Sequence, residues 1–165
     1  MVANFFKKII SASHRPTTYQ TGLLQAKAYR ILKQNTNSIL SSQHEITSTG
    51  WAFLGFLYDN PDGVRLSDCA NELGVEGAFI TPLAGSLKKK GLIAYETAPD
   101  DARVKRATLT PLGKKFVAET EKVVRDQMKK LVKDVSIRDL MGYLKVLQAI
   151  VKNNKGLEAL DNSES

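Results

Sequence analysis

Between Tyr95 and Gly113 the chain reads YETAPDDARVKRATLTPLG, a stretch in which Asp100 and Asp101 are followed closely by Arg103, Lys105 and Arg106. Lys88, Lys89 and Lys90 stand just ahead of it. Residues 88–115 carry 8 basic and 3 acidic side chains, against 7 and 6 in residues 1–87 and 9 and 8 in residues 116–165, so most of the formal net charge of +7 lies in one segment. Cations concentrated in this way point to a polyanionic partner, because neutralising phosphates releases counterions. A solvated basic loop is the plainer alternative.

The other reactive side chains do not assemble into a site. Cys69 is the only cysteine, which excludes an internal disulfide, and with only His14 and His44 beside it no metal set is expected. Its neighbours Asp68 and Glu72, and its spacing with Leu66, Ala70 and Leu73, describe a buried apolar position rather than a redox sensor. Neither histidine has an evident nucleophile partner, and no Gly-rich phosphate loop is present, so neither an enzyme nor a cofactor is expected. No apolar run reaches the roughly 18 to 20 residues that span a bilayer. MVANFFKKIISASH has apolar pairs split by Lys7 and Lys8, too short for a secretory signal, and the expected location is the cytoplasm.

Positioning the basic segment falls to a series of helices. Leu23, Leu24, Ala28, Ile31, Leu32 and Ile39 recur at helical spacing from Thr17 to about Leu40, and Phe5, Phe6, Ile9 and Ile10 mark a short helix ahead of it. Thr47 reads as an N-cap, with Trp51, Leu54 and Leu57 as core residues before Asn60-Pro61-Asp62-Gly63 stops the helix. Ser67 can cap SDCANEL, which Gly74 ends. The next helix closes in GSLKKKG, with Gly91 as its stop and three lysines complementing the helix dipole. Within it, either Thr81 caps a helix starting at Pro82 or the helix begins earlier and bends there. The pair forms a helix-turn-helix.

LIAYET and VKRATL have strand length and hairpin spacing, and Thr110-Pro111 reads as N-cap and first residue of a helix running to about Val135. Ser136 with Asp139 resembles a capping box before a last amphipathic helix through Leu140, Met141, Leu144, Leu147, Ile150 and Val151. The fold class is mainly α (α+β), a winged helix-turn-helix with a small β-hairpin wing. The expected layout is a single domain over 1–165, with N-terminal dimerisation helices in 1–40, the winged helix-turn-helix in 41–115, C-terminal dimerisation helices in 116–152 and a fraying polar tail in 153–165. The flanking apolar stripes are broader than one such centre can cover, which predicts a symmetric homodimer.

LSDCANELGV, ITPLAGSLKKKGLI, DDAR and RATLTPLGKKF together resemble the MarR family of winged-helix transcription regulators over roughly residues 20–150. The resemblance implies a dimer, repressor in type, whose paired wings and reading helices grip double-stranded DNA. It places Arg103 in the minor groove, with Asp101 holding the guanidinium. The DNA-facing set is then Ser67, Phe79, Thr81, Pro82, Ser86, Lys88, Lys89, Asp101, Arg103, Lys105 and Arg106. The resemblance also implies a small-molecule effector, in a pocket bordered by Tyr29, His44, Trp51 and Phe53.

One departure stands out. Where the family shows a Ser/Thr-rich start and an arginine, the reading helix has Gly77, Ala78, Phe79, Ile80, Thr81 and Pro82, with Ser86 where a basic residue is common. Thr81, Ser86, and Pro82 or Phe79 against a thymine methyl are what remain for base contacts, so DNA shape and the wing carry more of the specificity. The rival function is a winged helix that lost base readout and binds a protein through Phe79.

Overall fold

The structure is a computed structural model that describes residues 17–98 and 101–161; the side chains of residues 42–44, 97–98, 101–105 and 155–161 lie outside the description. The short helix expected at Phe5–Ile10 and the wing-tip residue Asp100 also lie outside it. The described residues form α1 (Thr18–His44), α2 (Ser48–Asp59), β1 (Val64–Arg65), α3 (Leu66–Leu73), α4 (Gly77–Lys89), β2 (Ile93–Ala98), β3 (Asp101–Leu109), α5 (Pro111–Leu131) and α6 (Ile137–Asp161). Two compact units divide the chain, residues 1–127 and 128–165.

The first unit is built around the core made by α2, α3, α4 and the sheet. Phe53, Leu54, Leu57, Cys69, Ile80, Ala84, Leu87, Ile93 and Ala107 are buried in one cluster, with Phe116 and Val117 of α5. Local signals set the ends of these elements. The Thr47 hydroxyl accepts from the Gly50 amide at 3.1 Å, as expected of an N-cap, and the Asn37 side-chain oxygen accepts from the Ser48 amide at 2.6 Å, fixing α1 to the start of α2. Leu54 and Leu57 are buried as expected, while Trp51 is half-buried at the edge of the core.

The sheet has the antiparallel order β1-β3-β2, so the hairpin expected from the sequence gains a third, two-residue strand. Gly63 makes that strand possible. Its φ is 80°, and a Cβ there would come within 2.8 Å of the Thr108 methyl, so the turn at Asn60–Gly63 both ends α2 and brings Val64 opposite Ala107. Strand β1 then runs straight into α3, whose N-cap is Arg65. Ser67 is therefore not the cap; it lies in the first turn, exposed, with its hydroxyl donating to the Asp68 carboxylate at 3.3 Å.

In the second unit, Ser136 caps α6. The Asp139 amide donates to the Ser136 hydroxyl oxygen at 3.2 Å, and that hydroxyl donates to the Asp139 carboxylate at 2.6 Å. Helix α5 ends at Leu131 rather than near Val135, and α6 continues to Asp161, through residues whose polarity reads as a fraying tail. Polar composition removes a reason to pack, but Leu157, Ala159 and Leu160 keep helix propensity in the segment.

Candidate nucleic-acid interface

Helix α4 sits against the core by one face and presents the other outward. Ile80, Ala84 and Leu87 are buried, whereas Ala78, Phe79, Thr81, Pro82, Ser86, Lys88 and Lys89 are exposed. The helix starts at Gly77, so Pro82 lies inside it and Thr81 is not its cap. A proline at this place withholds the amide that the Ala78 carbonyl would accept from. The helix nevertheless continues, because Ile80, Ala84 and Leu87 all enter the core, and that burial outweighs the lost bond.

The lysine run at the end of α4 is divided by its contacts. Lys88 holds its ammonium 4.9 Å from the centre of the Tyr95 ring, at the base of the wing. Lys90 pairs with Glu45 at 3.2 Å, tying the last turn to the α1–α2 joint, where Glu45 itself adopts a left-handed φ of 52°. Lys89 is exposed and makes no ion pair with any described residue. Burial raises the Tyr95 phenol above its ordinary pKa, keeping the ring neutral beneath Lys88.

The wing is held by cross-strand pairs from Ile93↔Leu109 to Thr97↔Lys105, after which Ala98 pairs with Asp101. Residues 102–104 therefore bulge out of register, and Arg103 is in the bulge. Arg106 occupies a different place. It is half-buried in the middle strand, opposite Glu96 on one side and Arg65 on the other. Glu96 also accepts from the Thr108 hydroxyl at 3.1 Å. Arg106 belongs to the root of the wing, away from its tip.

Behind the wing, the LTPLG stretch closes onto the KKGLI stretch. The Thr110 amide donates to the Leu92 carbonyl at 3.1 Å, and its hydroxyl donates to the Gly91 carbonyl at 2.6 Å while accepting from the Gly113 amide at 3.0 Å. At Gly113 a Cβ would collide with the Leu92 carbonyl oxygen, which is why this turn of α5 can lie directly on the strand. Two segments that stand out in the sequence are one joint in space, and that joint aims the wing relative to α4.

The residues expected to border an effector differ in exposure. Phe53 is buried in the core, Tyr29 is exposed on α1, and the His44 side chain lies outside the described residues. Trp51 lines a groove of about 540 Å³ together with Tyr58, Val117, Glu121 and Arg125. Its indole N–H is buried without an acceptor. Cys69 is buried, and burial with the adjacent Asp68 pushes its thiol up to about 11. Among the described residues no cluster of His, Cys, Asp or Glu could hold a metal, and no helix is long and apolar enough to cross a membrane.

No protein-family profile matches the chain. Solved structures do. The complex of Staphylococcus aureus MepR with DNA superposes with a TM-score of 0.70 at 26% identity, covering 84% of this chain and 99% of that one. A MarR family regulator from Rhodococcus gives 0.74 at 17%, covering 83% and 96%. A MarR family regulator from Streptomyces coelicolor, in complex with DNA, gives 0.71 at 18%, covering 87% and 92%.

Proposed function

We propose that this chain, which has the winged helix-turn-helix fold of MarR-family transcription regulators, is a dimeric DNA-binding regulator, repressor in type. One observation carries the reading: a helix-turn-helix whose second helix offers an exposed face directly beside the segment that holds most of the net positive charge. Two of the matching structures are DNA complexes, which supports the same partner here. In this reading α4 lies in the major groove, Lys89 meets the phosphate backbone, and the bulged Arg103 enters the neighbouring minor groove.

Dimerisation is supported by the apolar residues that remain exposed on one chain, among them Leu23, Ile31, Ile137, Leu144 and Val151. Two reading heads about one helical turn apart, roughly 34 to 36 Å, fit successive grooves on one side of a duplex. In this reading a small-molecule effector enters the groove that Trp51 lines with Tyr58 and Val117.

The test is a salt titration of binding to duplex fragments of random sequence. The logarithm of affinity falls linearly with the logarithm of salt when phosphates are neutralised. Arg103→Ala weakens binding by roughly tenfold. Unchanged affinity and unchanged salt slope in Arg103→Ala remove the wing from the interface, and no duplex binding at low salt favours the protein-interaction reading instead.

A further inference from the structure

We infer that the reading helix recognises the methyl groups of thymine, with Phe79 as the residue that sets the preference; this rests on the DNA-binding reading above. From Gly77 to Leu87 the helix contains no charged or amide side chain. Discrimination of guanine takes Arg or Lys, and of adenine Asn or Gln, in bidentate contact with base edges. Those residues are missing from every turn of α4 that precedes Lys88.

The lysines nearest to it do not fill the gap. Lys88 is drawn over Tyr95 at 4.9 Å and Lys90 to Glu45 at 3.2 Å, while the exposed Lys89 is the last residue of the helix, where the reading above sets it against the phosphate backbone. What the first turns do present is apolar. Successive helical positions advance by about 100°, which places Ile80, Leu83, Ala84 and Leu87 toward the core and Ala78, Pro82 and Ser86 outward, with Phe79 on the shoulder of that face. Phe79 is 50% exposed, while Ile80 beside it is 2% exposed. Alanine, threonine methyl and phenylalanine are the groups that contact the thymine C5-methyl, the one apolar feature of the major-groove edge. A base pair without that methyl leaves the ring of Phe79 against polar groups that it cannot satisfy.

Uracil isolates the claim, because it deletes the methyl and keeps the hydrogen-bonding edge. Duplexes enriched from a random pool by the 165-residue chain are resynthesised with uracil replacing thymine at one position at a time. Uracil under the reading helix weakens binding by about fourfold per methyl, the value of one buried carbon. Phe79→Ala loses a comparable factor on the thymine duplex and is indifferent to uracil there. Phe79→Leu retains the sensitivity, and the salt slope of both variants matches the parent. Parent binding that tolerates uracil everywhere overturns the inference, as does a folded Phe79→Ala chain with undiminished affinity or undiminished uracil sensitivity. A parent chain that binds no duplex at all overturns the DNA reading as well, and so is a different result from binding without methyl preference.

Discussion

The winged-helix centre and the helices that precede and follow it in the chain treat apolar residues in opposite ways. In the centre Phe53, Leu54, Ala84 and Ala107 are fully buried, and each belongs to one cluster. Outside it, Leu23 in α1 is 58% exposed and Ile137 in α6 is 75% exposed. Helix α1 changes from one regime to the other along its length, from exposed Leu23 and Leu24 to buried Thr36 and Leu40. The centre accounts for its own stability by burial, whereas the flanks carry apolar surface that one chain leaves in water. Such a division gives a folded reading head and a separate adhesive, as the proposed dimer needs.

Substitutions sharpen that contrast. The largest effect is expected in the centre: Gly113→Ala drives a methyl into the Leu92 carbonyl and costs ~3 kcal/mol or more in urea denaturation. On the flanks, Leu144→Asp with Val151→Asp leaves the helical circular dichroism of the chain intact and shifts sedimentation from dimer to monomer. If that pair unfolds the centre as Gly113→Ala does, the contrast between the regions is lost. A smaller effect is expected of Lys89→Ala, which weakens duplex binding uniformly across sequences and lowers the salt slope by about one phosphate per protomer.

The smallest effect is a pH dependence set by Cys69. Burial lifts its thiol from 9.0 to about 11 in the folded chain. As pH rises, the unfolded chain therefore releases the proton first, and folding stability falls between those two values with no change below them. Comparing urea midpoints of the parent and Cys69→Ala at about pH 8 and about pH 10 checks it, since only the parent carries this part of the decline.

Much of this architecture was legible in the sequence because it is locally encoded. Thr47, Thr110 with Pro111, and Ser136 with Asp139 cap helices through contacts within three residues, and the helical spacing of Leu54 and Leu57 marks a core face. What was illegible depends on distant partners. Strand β1 is two residues long, too short for any period, and exists because Gly63 lets it reach β3. The true start of α3 followed from that strand, so Ser67 looked like a cap only in its absence. Pro82 left the start of α4 ambiguous, and burial of the opposite face decided it. In the candidate site, the cations and Phe79 could be named from composition. The engagement of Lys88 by Tyr95, the pairing of Lys90 with Glu45 and the wing bulge at 102–104 required coordinates.

The dimeric DNA-binding reading is tested by the stoichiometry of the complex, measured by sedimentation or native mass spectrometry of the 165-residue chain with an enriched duplex. Two chains are expected on one duplex, with no stable complex formed by the Leu144→Asp, Val151→Asp chain. A single chain bound with full affinity, or a dimer that ignores duplex DNA at low salt, contradicts it.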